Sequence, residues 1–194
     1  MTTWLITVKP SYVVVLGLYK CWSILYNSLE DHKPLKGNTV GSRLTDMAYI
    51  AGFLDGDGSL MLQIKRRVDS VKGYRFMATI CFYQDTRHEK HLFWIREVLG
   101  IGYISRRNDG MTELRINGFS SVSTILSELK PHVKFKSDQI KALIEACIVL
   151  NNRNLTKSQL RRVIDLIITV QNANYASAMK KSKEELLKLV NLTP

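Results

Sequence analysis

From residue 44 onward, the spacing of hydrophobic residues switches between the period of a helix and that of a strand. Residues 44–57 place Ile50, Phe53 and Leu54 at i, i+3 and i+4, which predicts a helix with one apolar stripe. Residues 59–67 and 75–83 alternate apolar and polar positions, which predicts two strands of a hairpin with one buried face.

The same order then recurs. Thr86-Arg87-His88-Glu89 has the form of a capping box, and it predicts the start of a helix that ends at Gly100. Two short strands over 103–107 and 111–117 follow, and the next helix ends at Pro131. The pattern therefore predicts an α+β fold whose core runs α-β-β-α-β-β-α.

After Pro131 the apolar spacing is helical throughout. Two further capping boxes, Thr156-x-x-Gln159 and Ser182-x-x-Glu185, predict the first residues of two C-terminal helices. We therefore expect a single domain over 42–194, with its core at about 44–150 and added helices over 151–194.

Residues 1–41 differ from this domain and are predicted to be an N-terminal extension of unknown role. Their apolar run, Tyr12 to Tyr19, lies between Lys9 and Lys20 and is too short for a spanning helix of about 20 residues. A basic membrane-associated protein anchored through this run is therefore a weak alternative, and no membrane partner is expected.

The chain is strongly basic, with 28 Lys and Arg against 17 Asp and Glu and a formal net charge of +11. Such a surplus favours a polyanionic partner, either nucleic acid or acidic lipid. The three cysteines are far apart in sequence, which favours a reducing compartment over a disulfide framework.

Half of these basic residues lie between Gly58 and Lys136, in the part of the chain predicted to form the sheet. Arg, Lys, Gln and Tyr side chains alternate with the apolar ones there, so they share the opposite face. That face is either simply solvated or able to read a DNA major groove. The candidate DNA-binding residues on it are Met61, Gln63, Lys65, Arg67, Arg75, Met77, Thr79, Tyr103, Ser105, Arg107, Glu113 and Arg115.

The first predicted helix carries a stripe of small residues. Ala48, Gly52 and Gly56 recur every four residues, so they line one face almost without side-chain bulk. Glycines inside a helix cost about 1 kcal/mol each relative to alanine, so a packing reason is expected. Because the chain has no second copy of this segment, we expect the partner helix to come from a second subunit.

Asp57 falls at or just after the C-terminus of this helix, where the helix dipole already leaves partial negative charge. If a two-fold axis relates two such helices, two Asp57 carboxylates converge, and hard divalent cations of the Mg²⁺ type relieve their repulsion. Taken alone, Asp-Gly-Asp-Gly is more often an ordinary turn between a helix and a strand.

The segment Ile50–Gly58, IAGFLDGDG, resembles the signature of the LAGLIDADG homing endonucleases, in the single-motif branch that works as homodimers. This resemblance implies an antiparallel saddle-like sheet and a site-specific endonuclease that cuts both strands of a long pseudo-palindromic DNA duplex. It also implies Mg²⁺ as cofactor, with Mn²⁺ or Ca²⁺ able to occupy the site, and a gene carried by an organelle intron or a similar element.

The resemblance also implies roles for individual residues. Asp57 and the carbonyl of Gly56 match the metal ligands, and Asp57, Gln84 and Lys136 match the catalytic set, in which Gln84 and Lys136 organise water. Asp55 matches a mainly structural acid and is placed with Ala48, Gly52 and Gly56 at the dimer contact. Arg87 and His88 both fit a basic position in the outer pocket.

Two alternatives share this scaffold. One is a maturase that binds intron RNA, and the other is a DNA-binding regulator without catalysis. The acidic and polar residues at positions 57, 84 and 136 favour the endonuclease.

Overall fold

The structure is a computed structural model, and it describes residues 40–69, 72–152, 154–174 and 180–192. The predicted N-terminal extension lies outside the described residues, except that the first helix already begins at Val40. Among the helices of the described residues, none is both long and apolar enough to cross a membrane.

The described residues form helices and strands in the predicted order. The helices are α1 (Val40–Asp57), α2 (Lys90–Leu99), α3 (Phe119–Leu129), α4 (Ser137–Leu150), α5 (Lys157–Ala173) and α6 (Lys183–Leu189). The strands are β1 (Ser59–Arg66), β2 (Tyr74–Asp85), β3 (Tyr103–Arg106) and β4 (Met111–Asn117). The α-β-β-α-β-β-α core is thereby confirmed.

The four strands form one antiparallel sheet in the order β1-β2-β4-β3. The alternating apolar side chains of these strands are buried on one face, where α3, α4 and α5 pack against the sheet. Leu60, Ile80, Leu114 and Ile116 are fully buried there. Burial of this face fixes the strand register, because a shift by one residue would turn the apolar side chains towards solvent.

The predicted capping boxes at Thr156 and Ser182 are confirmed, with both reciprocal hydrogen bonds present. The box predicted at Thr86 is wrong. Residues 86–88 form a 3₁₀ turn capped by Asp85, and α2 begins only at Lys90. Glu89 cannot return to Thr86 because its carboxylate accepts hydrogen bonds from Arg106, while the Thr86 backbone N–H donates to the Gly110 carbonyl at 2.8 Å.

Candidate active site and nucleic-acid interface

The motif helix α1 is held by its apolar side and ends at Asp57. Ile50 and Leu54 are fully buried, and the Phe53 ring stacks on Phe82 with 6.0 Å between centroids. At Gly58 a Cβ would lie 2.8 Å from Leu54 Cα and 2.9 Å from Leu54 O, so only glycine lets the chain turn into β1 here. Asp57 is therefore presented, exposed, at the helix C-terminus as predicted.

The Asp55 carboxylate ties α1 to the loop before α4. It accepts hydrogen bonds from the backbone N–H groups of Lys134 at 2.6 Å, Phe135 at 3.1 Å and Lys136 at 3.0 Å. A carboxylate that accepts several backbone N–H groups is a strong local anchor. Both oxygens bind its own chain, in line with the mainly structural acid that the family resemblance implies, and the place of Asp55 at a dimer contact stays a prediction.

The loop that Asp55 holds delivers Lys136 to the end of the motif helix. Lys136 Nζ donates to the carbonyl oxygens of Leu54 and Asp55, each at 2.7 Å. Burial lowers the pKa of Lys136, and the charges of Asp55 and Asp57 oppose that shift without cancelling it. A partly desolvated cation thus lies at the negative end of the helix dipole, within the electrostatic reach of Asp57.

Gln84 lies at the end of β2, and its Oε1 accepts a hydrogen bond from the Asp85 backbone at 3.0 Å. It lines a cavity of about 550 Å³ together with Tyr49, Phe53 and Trp94 of α1 and α2. Within the described residues, no hydrogen bond joins Gln84 to Asp57 or Lys136. Its catalytic role stays a prediction.

The choice between Arg87 and His88 for the outer pocket also stays open. The Arg87 guanidinium is bound by Asp85, through Nε at 3.0 Å and Nη2 at 2.8 Å, and most of its side chain is exposed. His88 follows it in the same turn and is exposed as well.

The donors for a divalent cation are of the right chemical type but few. Mg²⁺ prefers hard oxygen ligands, and the exposed Asp57 carboxylate and the Gly56 carbonyl provide such oxygens. Lys136 donates hydrogen bonds to the carbonyl oxygens of Leu54 and Asp55, but not to that of Gly56. Across the described part of the chain, no three His, Cys, Asp or Glu residues form a cluster that could hold a metal ion.

The small-residue face of α1 is uncovered in the single chain. Ala48, Gly52 and Gly56 are exposed, and a Cβ added at either glycine meets no atom within 4 Å. Leu44 and Tyr49 flank this face and are 54% and 66% exposed. No described side chain packs against these glycines, and the partner helix stays a prediction.

The sheet face opposite the helices carries most of the predicted DNA-binding residues. The predicted residues that are exposed or partly exposed are Met61, Gln63, Lys65, Arg67, Arg75, Met77, Tyr103, Ser105, Arg107 and Arg115. Tyr83 and Asn117 lie on the same face, as strand alternation predicts, although they are not among the predicted DNA-binding residues. The alternation of β2 and β4 is the signal that identifies them.

Two residues predicted to contact DNA are buried instead. Thr79 is 5% exposed because its hydroxyl donates to Asn117 Oδ1 at 2.7 Å, and Asn117 in turn donates to the Tyr103 hydroxyl. Glu113 is 2% exposed because two arginines cover its carboxylate. These two assignments as direct DNA contacts are corrected.

Comparison with known proteins agrees with this geometry. Residues 50–147 match the profile of the LAGLIDADG endonuclease family. The chain is 34% identical over 105 residues to DNA endonuclease I-CvuI of Chlorella vulgaris, and this alignment spans 54% of the chain and 65% of I-CvuI, just under two thirds of its length. It is 22% identical over 138 residues to DNA endonuclease I-CreI of Chlamydomonas reinhardtii, spanning 71% of the chain and 84% of I-CreI.

The fold is also similar to that of solved structures. The crystal structure of I-CvuI in complex with its target in the presence of Ca superposes with a TM-score of 0.71 and 28% identity, covering 79% of this chain and 99% of that one. The archaeal intron-encoded endonuclease I-Vdi141I, complexed with DNA, has a TM-score of 0.66 at 22% identity and shares the fold. Since the family profile covers half of its length, the chain belongs to the LAGLIDADG endonuclease family.

Proposed function

We propose that this chain is a homodimeric, site-specific homing endonuclease that hydrolyses phosphodiester bonds of double-stranded DNA with Mg²⁺. The observation that carries the proposal is the exposed Asp57 at the end of an α1 helix whose small-residue face is uncovered. The relatives support its DNA-binding part, because I-CvuI crystallises with DNA target sequences in the presence of Mg or Ca.

The homodimer rests on the face formed by Ala48, Gly52 and Gly56. Two such faces can approach closely across a two-fold axis, since neither brings side-chain bulk to the contact. This arrangement places two Asp57 carboxylates near each other and raises the number of oxygen donors above what one chain offers. The metal site and the dimer are therefore one proposal.

Asp57 and the carbonyl of Gly56 would hold Mg²⁺, and Mn²⁺ or Ca²⁺ can occupy oxygen ligands of the same kind. When bound, such a cation neutralises developing charge on the phosphate and makes water a better nucleophile. Lys136 supplies fixed positive charge beside the scissile phosphate, as groups that stabilise a charged transition state do. Gln84 orients water through its side-chain amide.

The basic sheet face would bind the duplex. Each subunit would place its sheet on one half-site, so that the pair reads a long, pseudo-palindromic target. Lys65 and Arg75 are exposed on this face and suit phosphate or base contacts. An origin in an organelle intron stays a prediction that the family resemblance supports.

Selection of cleaved molecules from a randomised duplex library with Mg²⁺ tests the proposal. The unmutated chain is expected to enrich one long site, and Asp57→Asn is expected to bind that site without cutting it. Cleavage that persists in Asp57→Asn removes the metal role of this residue. Binding without cleavage by the unmutated chain favours the regulator, and selective binding of intron RNA favours the maturase.

A further inference from the structure

The polar face of the sheet contains one carboxylate that is shielded from solvent. Glu113 lies on β4, pairs with Tyr83 of β2 and Ser105 of β3, and is 2% exposed on a face that is otherwise partly open. Buried carboxylates need partners to stay ionised. The partners of Glu113 therefore indicate its role.

Two arginines of the same face bind this carboxylate. Arg107 Nη1 donates to Glu113 Oε1 at 2.9 Å, and Arg115 Nε donates to Glu113 Oε2 through a short hydrogen bond. Burial raises the pKa of Glu113, but the hydrogen bonds and the positive charges of Arg115 and Arg107 together outweigh burial and bring it below the ordinary value. The carboxylate is therefore ionised and holds both guanidinium groups.

The arginines themselves remain accessible. The side chain of Arg107 is 47% exposed and that of Arg115 is 38% exposed. Arg107 Nη2 also donates to Asp109 at 2.7 Å, and both arginines keep further N–H donors, so Glu113 helps to fix the direction of two accessible guanidinium groups.

The other half of the same face is different. Lys65 and Arg75 of the β1–β2 hairpin are exposed, and no carboxylate among the described residues forms an ion pair with either. A cation on a flexible side chain can bind the phosphates of any DNA sequence, whereas recognition of a base needs hydrogen-bond donors at fixed positions. Apart from Arg67, which Asp69 binds through two hydrogen bonds, the β1–β2 half of the face therefore carries cations without an ion pair among the described residues, whereas the arginines of the other half are oriented by a buried carboxylate.

We propose that Glu113 is a positioning residue for base recognition, which orients Arg107 and Arg115 towards base edges and offsets part of their charge against indiscriminate phosphate binding. The inference rests on the proposed DNA-binding function. It replaces the direct DNA contact that the sequence predicts for Glu113.

Binding measurements on Glu113→Gln test the proposal, using the full chain, the duplex selected from the randomised library and a scrambled duplex of equal length. The preference for the selected duplex is expected to fall about tenfold, as for the loss of one well-oriented contact to a base. Binding to the scrambled duplex is expected to tighten, with a salt dependence steeper by about one phosphate contact, because an arginine becomes free to bind phosphate.

Glu145→Gln is the matched control. Glu145 binds Arg162 through two hydrogen bonds on the helical side of the domain, so this variant makes the same change in charge away from the sheet face. It is expected to keep the preference and the salt dependence of the unmutated chain. Equal changes in both variants would assign the effect to net charge and overturn the proposal.

A structural role alone predicts a lower melting temperature and an equal loss of affinity for both duplexes, and that result also overturns the proposal. If Glu113→Gln does not fold, the variant Arg107→Lys tests the proposal instead. It retains the positive charge at an accessible position and removes the planar guanidinium group. Undiminished base preference in Arg107→Lys would contradict the inference. Failure of the unmutated chain to select any duplex overturns the proposed function itself, and the inference with it.

Discussion

Lys136 and Asp55 bind each other through opposite parts of the two residues. The Asp55 carboxylate accepts the backbone N–H of Lys136 at 3.0 Å, while Lys136 Nζ donates to the Asp55 carbonyl at 2.7 Å. The motif helix and the loop before α4 are thereby locked together at the end of α1 that carries Asp57. One acid of the motif, Asp55, holds this loop, and the other, Asp57, stays exposed to solvent.

Replacing Lys136 by methionine is expected to separate activity from stability. Burial lowers the pKa of Lys136, so the fold holds its charge at a cost that the charges of Asp55 and Asp57 do not fully offset. Removing this charge offsets part of the loss of two hydrogen bonds to backbone carbonyls, so the free energy of unfolding in Lys136→Met is expected to fall by only about 1 kcal/mol, while cleavage falls by roughly 100-fold or more. Denaturant unfolding and cleavage of the selected duplex measure the two effects.

Lys134→Met is the matched control for this variant. Lys134 is exposed, and its link to Asp55 runs through the backbone N–H, which the substitution keeps. Unchanged cleavage is expected. Equal loss of cleavage in both variants would mean that the general basic charge of the loop, rather than the position of Lys136, matters.

The two motif acids are expected to fail in opposite ways. Asp55→Asn replaces one acceptor oxygen by an NH₂ group that cannot accept the backbone N–H groups of residues 134–136, so it should lower the free energy of unfolding by about 1–3 kcal/mol. Asp57→Asn removes an exposed negative charge from a helix C-terminus, so it should leave stability unchanged or slightly higher. Thermal unfolding of both variants checks this, and a destabilised Asp57→Asn would contradict the division of roles.

Local patterns of the sequence predict much of this fold. The apolar alternation that places Leu62 and Ile80 on one face depends only on residues nearby in the chain, and it identifies β1 and β2 correctly. Asp57 is equally local, because the glycines around it define where α1 must end. The position of Asp57 at the end of α1 is thus readable without tertiary contacts.

The features that sequence reasoning missed depend on distant partners. Asp55 reaches a loop about 80 residues further along the chain, and Glu89 leaves its expected cap to bind Arg106 on β3. Glu113 is polar and lies on the polar face, yet the turn after β3 returns Arg107 over it. Strand alternation gives the face of a residue, but its burial depends on what neighbouring strands place above it.

Alanine at two glycines of the motif is expected to have opposite consequences for the chain. At Gly52 a Cβ meets no atom within 4 Å, so Gly52→Ala should stabilise the monomer by up to about 1 kcal/mol through helix propensity. At Gly58 the Cβ would overlap the backbone of Leu54, so Gly58→Ala should destabilise it. Unfolding of dilute protein measures both.

The dimer adds a second expectation for Gly52→Ala. If two α1 helices pack through their small-residue faces, the added methyl group separates them and weakens association at least several-fold, in sedimentation measured over a range of concentrations. An unchanged dissociation constant would show that the chains associate elsewhere, and a monomer at all concentrations without DNA would remove the dimer from the proposal.

Glu89 is expected to make the link between α2 and the sheet sensitive to acid. Hydrogen bonds from Arg106 and then Thr112 lower the pKa of Glu89 from 4.5 to about 2 in the folded chain. A depressed carboxyl pKa stabilises the fold fully above the unfolded value, and that contribution is lost as the pH falls from about 4.5 towards 2. Glu89→Gln should therefore melt at a lower temperature than the unmutated chain at pH 7, and the difference should shrink as the pH approaches 2. Melting curves across this range test the link, and a difference independent of pH would show that the charge of Glu89 does not stabilise the contact with Arg106.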